Sequence, residues 1–253
     1  MLILNERKLL GIVIHEKGKD YVADLSPELK EQVKEVVGWD RTLQRMVDDN
    51  VILYPEEGRK YIEKNGDPVV YNVLNLSKCV PKIIEISEKH KVYCDITVLN
   101  HGVISDGEFG ELFLTYGHQH EQRFGEIYSV LAGHGLLLYY APDTNVTIAV
   151  RMKEGDEHYI PPGYIHRFYC SSEGVVLAGV VPHEAGHDYE AVKQKGFPYH
   201  SFYNTRTGGY EFVKNPNFHG ATLNVVKADG SLGAIEKYFS NPEEVRKMLE
   251  KEE

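Results

Sequence analysis

Cysteine is scarce in this sequence. The 253 residues contain three, Cys79, Cys94 and Cys170, and no two of them are close in the chain. A disulfide framework or a Cys-type zinc site would need more cysteines or closely spaced pairs. We therefore expect neither feature, and we expect the three thiols to be reduced packing residues.

Long apolar runs and an excess of basic residues are also missing. No stretch approaches the roughly 20 apolar residues that a membrane-spanning helix needs, and the start MLILNERK is too short and too soon charged for a signal peptide. Acidic residues (38) outnumber basic ones (28), and the net charge of -10 disfavours a general nucleic-acid surface. We expect a cytoplasmic protein with no membrane and no nucleic acid as partner.

The first part of the chain has a mixed pattern of residues. An apolar run over 9–14 predicts a strand, and a Ser-Pro start with a Gly stop predicts a helix over 26–38. A second short helix is predicted over 40–46. The polar stretch 54–68, which Pro and Gly interrupt, indicates a connection. Nothing in these first 68 residues suggests chemistry.

From residue 69 short alternating strands follow one another, separated by Gly, Pro, Asn and Asp turns, which is typical of an all-β barrel or sandwich. The strands are predicted near 69–73, 92–99, 111–115, 126–132, 135–140, 146–151, 157–160, 166–170 and 175–181. A short helix over 188–195, a strand at 211–213 and a terminal helix from residue 240 to Glu253 complete the prediction.

The stretch GHQHEQRFGEIYSVLAGHG, residues 117–135, is the most informative. His118 and His120 are two residues apart, so on a β-strand both imidazoles leave one face. Glu126 opens the next alternating run, and His166 follows a rigid Pro-Pro-Gly turn. Each histidine alone could be a surface residue on a polar strand. Together, three His and one Glu could bind one divalent metal, and ligand softness does not separate Fe(II), Mn(II), Ni(II) and Zn(II).

Two segments resemble the motifs of the cupin superfamily. Residues 117–133 resemble the first motif, and residues 155–166, which read G-x5-P-x-G-x2-H, resemble the second. More narrowly, the runs YCDIT, TYGHQH, EIY and AGHDY resemble the cupin-type phosphoglucose isomerases of archaea and bacteria. The combination of T-x-G-H-x-H with E-I-Y and A-G-H-D-Y is much more specific than the general cupin motif. The resemblance covers roughly residues 69–200, and the chain is longer at both ends.

This resemblance implies a cupin barrel, a double-stranded β-helix or jelly roll, with flanking N- and C-terminal helices. Three parts are expected: an extension over 1–68 that packs on the barrel, the barrel over 69–200, and an extension over 201–253 with the terminal helix. The resemblance also implies a homodimer. One divalent metal is expected, with iron first and zinc, manganese or nickel as substitutes, bound by His118, His120, Glu126 and His166.

The implied activity is the interconversion of glucose 6-phosphate and fructose 6-phosphate in glycolysis and gluconeogenesis. Glu126 would be the catalytic base through a cis-enediol, with a hydride shift as the alternative. The implied phosphate contacts are Thr97, Thr115 and the Gly117 N–H. The implied sugar contacts are Tyr128, His187 and Tyr189.

Several of these residues also suit a purely structural role, and two alternative functions stay open for the whole chain. Thr97 and Thr115 suit a strand by β-propensity alone, and Tyr128 is compatible with a half-buried strand position. A cupin dioxygenase could use the same four ligands with an organic substrate. A sugar- or metal-binding cupin without catalysis could keep the whole site.

Overall fold

The alternating pattern of the middle of the chain forms strands in the computed structural model, which describes residues 2–105 and 107–250. Strands hold 41% of the residues and helices 27%, so the predicted all-β class with flanking helices is confirmed. The strands are β1 (Ile12–Lys17), β2 (Asp20–Leu25), β3 (Gly38–Thr42), β4 (Val69–Leu74), β5 (Val92–Leu99), β6 (Val103–Ile104), β7 (Phe109–Leu112), β8 (Glu126–Ala141), β9 (Val146–Lys153), β10 (Glu157–Ile160), β11 (Ile165–Tyr169), β12 (Val175–Pro182), β13 (Tyr199–Asn204), β14 (Gly209–Lys214) and β15 (Thr222–Lys227).

Helices lie before, within and after this strand-rich part of the sequence. They are α1 (Leu2–Leu10), α2 (Pro27–Lys30), α3 (Leu43–Asp48), α4 (Pro55–Asn65), α5 (Leu76–Cys79), α6 (Pro81–His90), α7 (Glu190–Lys195), α8 (Ala234–Ser240) and α9 (Pro242–Leu249). Within the described range, none of them is long and apolar enough to cross a membrane. The predicted terminal helix corresponds to α9, and its last residues, 251–253, lie outside the described residues.

One long strand, β8, organises the barrel. Its first half pairs with β10 and β12, and its second half pairs with β9 and β11. A single strand therefore pairs with two different sets of strands along its length, and the predicted cupin fold is confirmed. The prediction of two separate strands, over 126–132 and 135–140, is wrong. A bulge at Leu131, opposite Val176 and Leu177, and a φ of 75° at Gly133 distort the strand without ending it.

Both ends of the chain contribute strands to the sheets. The nine-stranded sheet runs in the order β15-β9-β8-β12-β5-β4-β3, with β10 and β11 also paired to β8, and a four-stranded sheet runs β14-β13-β7-β6. Strand β3 therefore comes from the segment 1–68, and β14 and β15 come from the segment 201–253. The division of the chain at residues 68 and 200 stays a prediction.

The predicted extents of the first elements are wrong. The helix that begins after Ser26 ends at Lys30, and it buries no side chain that would stabilise further turns. Strand β3 follows, where Gly38 permits close pairing, since a Cβ there would lie 2.6 Å from the Val73 carbonyl oxygen. The second helix accordingly begins at Leu43. The first strand begins at Ile12, because residues 9 and 10 belong to α1.

Helix α4 replaces the predicted connection over 54–68. It has the usual helix signals, with Pro55 in the first turn and Gly66 at its C-terminal end. The glycine that suggested a break, Gly58, reflects packing instead. A Cβ at this position would lie 2.5 Å from Val47 Cγ2 and 2.6 Å from Ile52 Cδ1, so the glycine allows α4 to pack closely on α3.

Two hydrophobic clusters hold the layers together. The first lies inside the barrel and includes Leu138 and Phe168. The second lies between the outer face of β5, β8 and β12 and the helices α1, α6, α8 and α9, and it includes Ile127 and Tyr238. The barrel interior and the helical cover are therefore separate cores on opposite faces of the same strands.

Replacement of Tyr238 should show how strongly the C-terminal helices stabilise the barrel. Its ring is fully buried, and its hydroxyl donates to the Val92 carbonyl at 3.2 Å. We expect Tyr238→Ala to lower the free energy of unfolding by about 3–5 kcal/mol through the cavity it leaves. The matched Tyr238→Phe variant should lose only about 1 kcal/mol. Urea unfolding measures both, and a Tyr238→Ala variant as stable as wild type would show that this contact does not stabilise the fold.

Candidate metal centre

The backbone brings the two histidine-bearing segments into direct contact. His118 N–H donates to the His166 carbonyl at 3.1 Å, and His166 N–H donates to the His118 carbonyl at 3.0 Å. Gly117 permits this approach, since a Cβ on it would lie 2.8 Å from the His166 carbonyl oxygen. The segment forms isolated bridges at His118 and Gln119 and no regular strand. These bridges nevertheless direct both imidazoles to one site.

The four predicted ligands converge on one point. The Nε2 atoms of His118, His120 and His166 lie 3.6, 3.4 and 2.9 Å from Oε2 of Glu126. The four ligand atoms lie within 4.8 Å of one another, and all four side chains are buried. Glu126 is placed there as the first residue of β8, and His166 as the second residue of β11. The structure therefore assembles the group that the spacing predicts.

The hydrogen bonds of the imidazoles suit metal binding. Nδ1 of His120 lies 2.7 Å from the Phe124 carbonyl oxygen, and Nδ1 of His166 lies 3.4 Å from the Tyr164 carbonyl oxygen. A carbonyl only accepts, so Nδ1 of His120 carries the proton and leaves a lone pair on Nε2. Nε2 of His118 and of His120 is buried without a hydrogen-bond partner in the described part of the chain. Three imidazole nitrogens and one carboxylate fit a divalent metal, whose identity this ligand set does not decide.

The protonation states suit the same role. Burial raises the pKa of the Glu126 carboxyl, but the three imidazoles around it outweigh burial and hold this pKa well below its ordinary value. Burial, reinforced by the neighbouring His166, lowers the pKa of His118 well below its ordinary value. Burial also lowers the pKa of His120, but the contact with Glu126 outweighs it and the net pKa is raised. Near neutral pH the site therefore holds a carboxylate and a neutral His118, as metal ligation requires.

A cavity of about 360 Å³ opens onto this group. Glu126 and His118 form part of its wall, and His120 and His166 contact Glu126 beside them. All the residues predicted to contact substrate also line the cavity: Thr97, Thr115, Gly117, Tyr128, His187 and Tyr189. Residues from distant parts of the sequence therefore meet around one chamber.

Sequence reasoning missed several residues of this wall. Trp39 lines the cavity, although the first 68 residues carry no motif that suggests a site. It is placed there because β3 pairs with β4, and its ring contacts Tyr71 with the ring centroids 5.6 Å apart. Lys78 and Asp95 line the cavity as well. Alternation along β5 puts Asp95 on the same face as Thr97, so the strand pattern was a usable signal for Asp95. No local signal marks Trp39 or Lys78.

A larger groove lies elsewhere on the molecule. It measures about 960 Å³, and its lining includes the exposed Val225 and Val226 of β15. Of the residues that the structure describes, the group around Glu126 alone has metal-ligand geometry, and none of its members lines this groove. Ligand chemistry, and not volume, therefore identifies the candidate site.

The fold and this site together define a cupin barrel with a buried candidate metal centre of three histidines and one glutamate. A family model described as glucose-6-phosphate isomerase (GPI) matches residues 43–217, which is more than half of the chain. The chain belongs to the glucose-6-phosphate isomerase family. The matched range includes all four candidate ligands and begins after β3.

Individual relatives agree with this family. The glucose-6-phosphate isomerase of Thermococcus litoralis is 31% identical over 160 residues, which is 62% of this chain and 77% of the relative. That of Thermococcus onnurineus (strain NA1) is 30% identical over 181 residues, which is 70% of this chain and 88% of the relative.

Solved structures give a weaker likeness. A variant of oxalate decarboxylase from Bacillus subtilis has a TM-score of 0.32 and 17% identity, over 44% of this chain and 25% of that one. An oxalate oxidase bound to the substrate analogue glycolate has a TM-score of 0.33 and 16% identity, over 40% of this chain and 47% of that one.

Removal of one ligand should test the metal centre directly. Wild-type protein should bind one Mn(II) or Zn(II) per chain, and His120→Ala should weaken binding by at least about 100-fold, because the remaining set lacks one nitrogen. His134→Ala is a matched control, since this half-exposed histidine pairs with Glu173 away from the site. Calorimetric titration of metal-free protein measures both. An equal loss in the two variants, or no binding by wild type, would contradict the assignment.

Proposed function

We propose that this protein is a metal-dependent isomerase that interconverts glucose 6-phosphate and fructose 6-phosphate. The observation that carries the proposal is the convergence of Glu126 and three histidines at a cavity that also holds hydroxyl and amide donors, in a chain of the glucose-6-phosphate isomerase family. Iron as the native metal, a place in glycolysis and gluconeogenesis, a cytoplasmic location and a homodimer are parts of the same proposal, which needs no nucleic-acid or membrane partner.

Glu126 has two oxygens in different surroundings. Oε2 faces the three imidazoles, whereas Oε1 lies on the side of Gly179, where a Cβ would come within 2.9 Å of it. Gly179 lines the cavity, so the missing side chain leaves Oε1 open to a substrate. This division supports Oε2 as a metal ligand and Oε1 as the base that moves a proton between C1 and C2 through a cis-enediol. A divalent cation bound here would stabilise negative charge on the sugar oxygens.

Neutral side chains surround the place where an open-chain sugar would lie. The ring of His187 stacks on Tyr189, with ring centroids 6.0 Å apart, and lies 4.4 Å from the ring of His118. Burial lowers the pKa of His187, and burial raises the pKa of Tyr128 well above its ordinary value. Near neutral pH these residues therefore offer uncharged donors and acceptors, which suit the hydroxyl groups of a sugar.

The phosphate would bind to hydroxyl and amide donors. Thr115 Oγ1 accepts a hydrogen bond from Phe168 N–H at 2.9 Å, so the hydroxyl hydrogen is free to be donated. Gly117 N–H donates to none of the residues described, and Thr97 lies on the same cavity wall. Such donors bind phosphate strongly because the acceptor is charged. A phosphate subsite disfavours the dioxygenase alternative, which would take an organic substrate without phosphate.

Metal dependence has a direct assay. We expect metal-stripped protein to convert fructose 6-phosphate to glucose 6-phosphate at background rate, and we expect activity to return with Fe(II), Mn(II), Ni(II) or Zn(II) added separately. A coupled assay of glucose 6-phosphate measures the rate. Inactivity with every metal, in protein shown to hold one ion per chain, would rule out this reaction.

Replacement of the base should separate an isomerase from a binding protein. Glu126→Gln keeps the shape of the side chain but removes the proton acceptor, so turnover should fall by roughly a thousandfold or more. Measured at saturating metal, this loss cannot come from metal affinity alone. Glu154→Gln is the control, because that carboxylate is half-exposed and pairs with Arg7 on the outside of the barrel. A Glu126→Gln variant with near wild-type turnover would exclude Glu126 as the base.

A further inference from the structure

Arg167, the residue after the ligand His166, is fully buried. Its Nη1 donates to the Val51 carbonyl at 3.1 Å and approaches the Tyr169 hydroxyl at 3.4 Å, and its Nη2 donates to the Tyr116 carbonyl at 3.3 Å. Its guanidinium carbon lies 3.8 Å from the centroid of the Phe197 ring. These partners are uncharged, and Nε has no hydrogen-bond partner in the described residues.

No carboxylate of the described chain forms an ion pair with this guanidinium. The nearby buried carboxylate of Glu111 is held by His200 Nδ1 at 2.5 Å and by Leu53 N–H at 2.7 Å. It reaches Arg167 only through the Tyr169 hydroxyl, which donates to Glu111 at 3.4 Å. A buried charge without a direct counter-ion is costly. The Arg167 guanidinium is therefore a buried positive charge behind the cavity wall. An anion bound in the cavity could balance it.

The contact with Tyr116 sets the direction of a backbone donor. The Tyr116 carbonyl and the Gly117 N–H belong to one trans peptide, so the two groups point in opposite directions. Because Arg167 holds the carbonyl, the N–H points away from Arg167, and Gly117 lines the cavity. The same residue packs under the turn, since a Cβ on Gly117 would lie 3.0 Å from Arg167 Cβ.

We propose that Arg167 is a positioning residue that holds the peptide between Tyr116 and Gly117 with its N–H toward the substrate phosphate, and that its buried charge selects anionic over neutral sugars. The inference rests on the proposed isomerase function. A charge in the interior is screened much less than one in water, so it acts on a phosphate without touching it. Two other cations compete as sources of positive charge. Lys78 lines the same cavity but is exposed, and the Arg41 guanidinium carbon lies 5.2 Å from the ring centroid of Tyr116 in the cavity wall.

The test compares three variants in metal-loaded enzyme with confirmed metal content. For each, the measured quantities are kcat, the KM for fructose 6-phosphate, and the inhibition constants of inorganic phosphate and of neutral fructose. Arg167→Met should raise the KM and the phosphate inhibition constant by roughly tenfold or more, with the fructose constant changed less than about twofold. Arg167→Lys, which keeps the charge, should retain most of the preference for phosphate over fructose. Tyr169→Phe, which removes one partner of Arg167 but not its charge, should retain the preference fully.

The outcomes separate the two proposals. Wild-type enzyme that holds metal and does not isomerise contradicts the proposed function. Active wild type, with phosphate and fructose affinities that fall together in Arg167→Met, reduces Arg167 to a structural residue and overturns the inference. An equal loss of phosphate preference in Arg167→Lys and Arg167→Met overturns the role of the charge.

A measurement on wild type decides the case in which Arg167→Met does not fold. A buried cation is poorly screened, so the KM for fructose 6-phosphate should change less than about threefold between roughly 50 and 500 mM NaCl. A steep rise with salt would assign phosphate selection to exposed cations such as Lys78 and contradict the inference.

Discussion

The structure depends on one buried carboxylate and the three imidazoles that balance it. Glu126 lies inside the barrel, where an ionised carboxylate without partners would be strongly destabilised. His118, His120 and His166 lie around its Oε2 atom, and the backbone bridge between His118 and His166 holds two of them in place. Three parts of the chain must therefore fold against one another before this carboxylate is compensated, so the barrel and the site form together.

Charged and neutral groups occupy different places around the cavity. Buried charge lies at Glu126 and, behind the cavity wall, at Arg167, while the cavity is lined mainly by uncharged side chains such as Thr115 and Tyr128. In such a cavity, hydrogen bonds would recognise the arrangement of the substrate's hydroxyl groups, and the two buried charges would favour a substrate of complementary charge. The rim includes Trp39 of β3, which lies before the range 43–217 that matches the family model. One residue outside the family match therefore contributes to the wall of this cavity.

The four candidate ligands could be predicted from sequence because each is marked by a pattern of neighbouring residues. The two-residue step from His118 to His120, the start of a strand at Glu126 and the turn before His166 are each visible within a few residues, and all four meet in the structure. The strand pattern likewise predicted most strands of the barrel. Gly58 was misleading for the opposite reason: it suggests a break when read locally, but it is required by the packing of α4 on Val47.

The residues that could not be predicted are those placed by long-range pairing. Trp39 reaches the cavity only because β3 pairs with β4, and Arg167 acquires its partners from Val51 and Tyr116, which lie 116 and 51 residues away in the sequence. The spacing of apolar and polar residues along the chain does not indicate such contacts. A basic residue next to a ligand in a strand reads as an outward-facing side chain, yet all of β11 is buried, so Arg167 faces the interior of the protein.

We expect one divalent metal to bind where the four ligands meet and the substrate to lie next to it. A crystal structure of metal-loaded protein soaked with fructose 6-phosphate, with anomalous scattering recorded at the absorption edge of the metal, tests this most directly. We expect one anomalous peak per chain, within bonding distance of the Nε2 atoms of His118, His120 and His166 and of Glu126, with the sugar phosphate in the adjoining cavity. A peak elsewhere, or a fully loaded crystal with no peak at these residues, would contradict the claim.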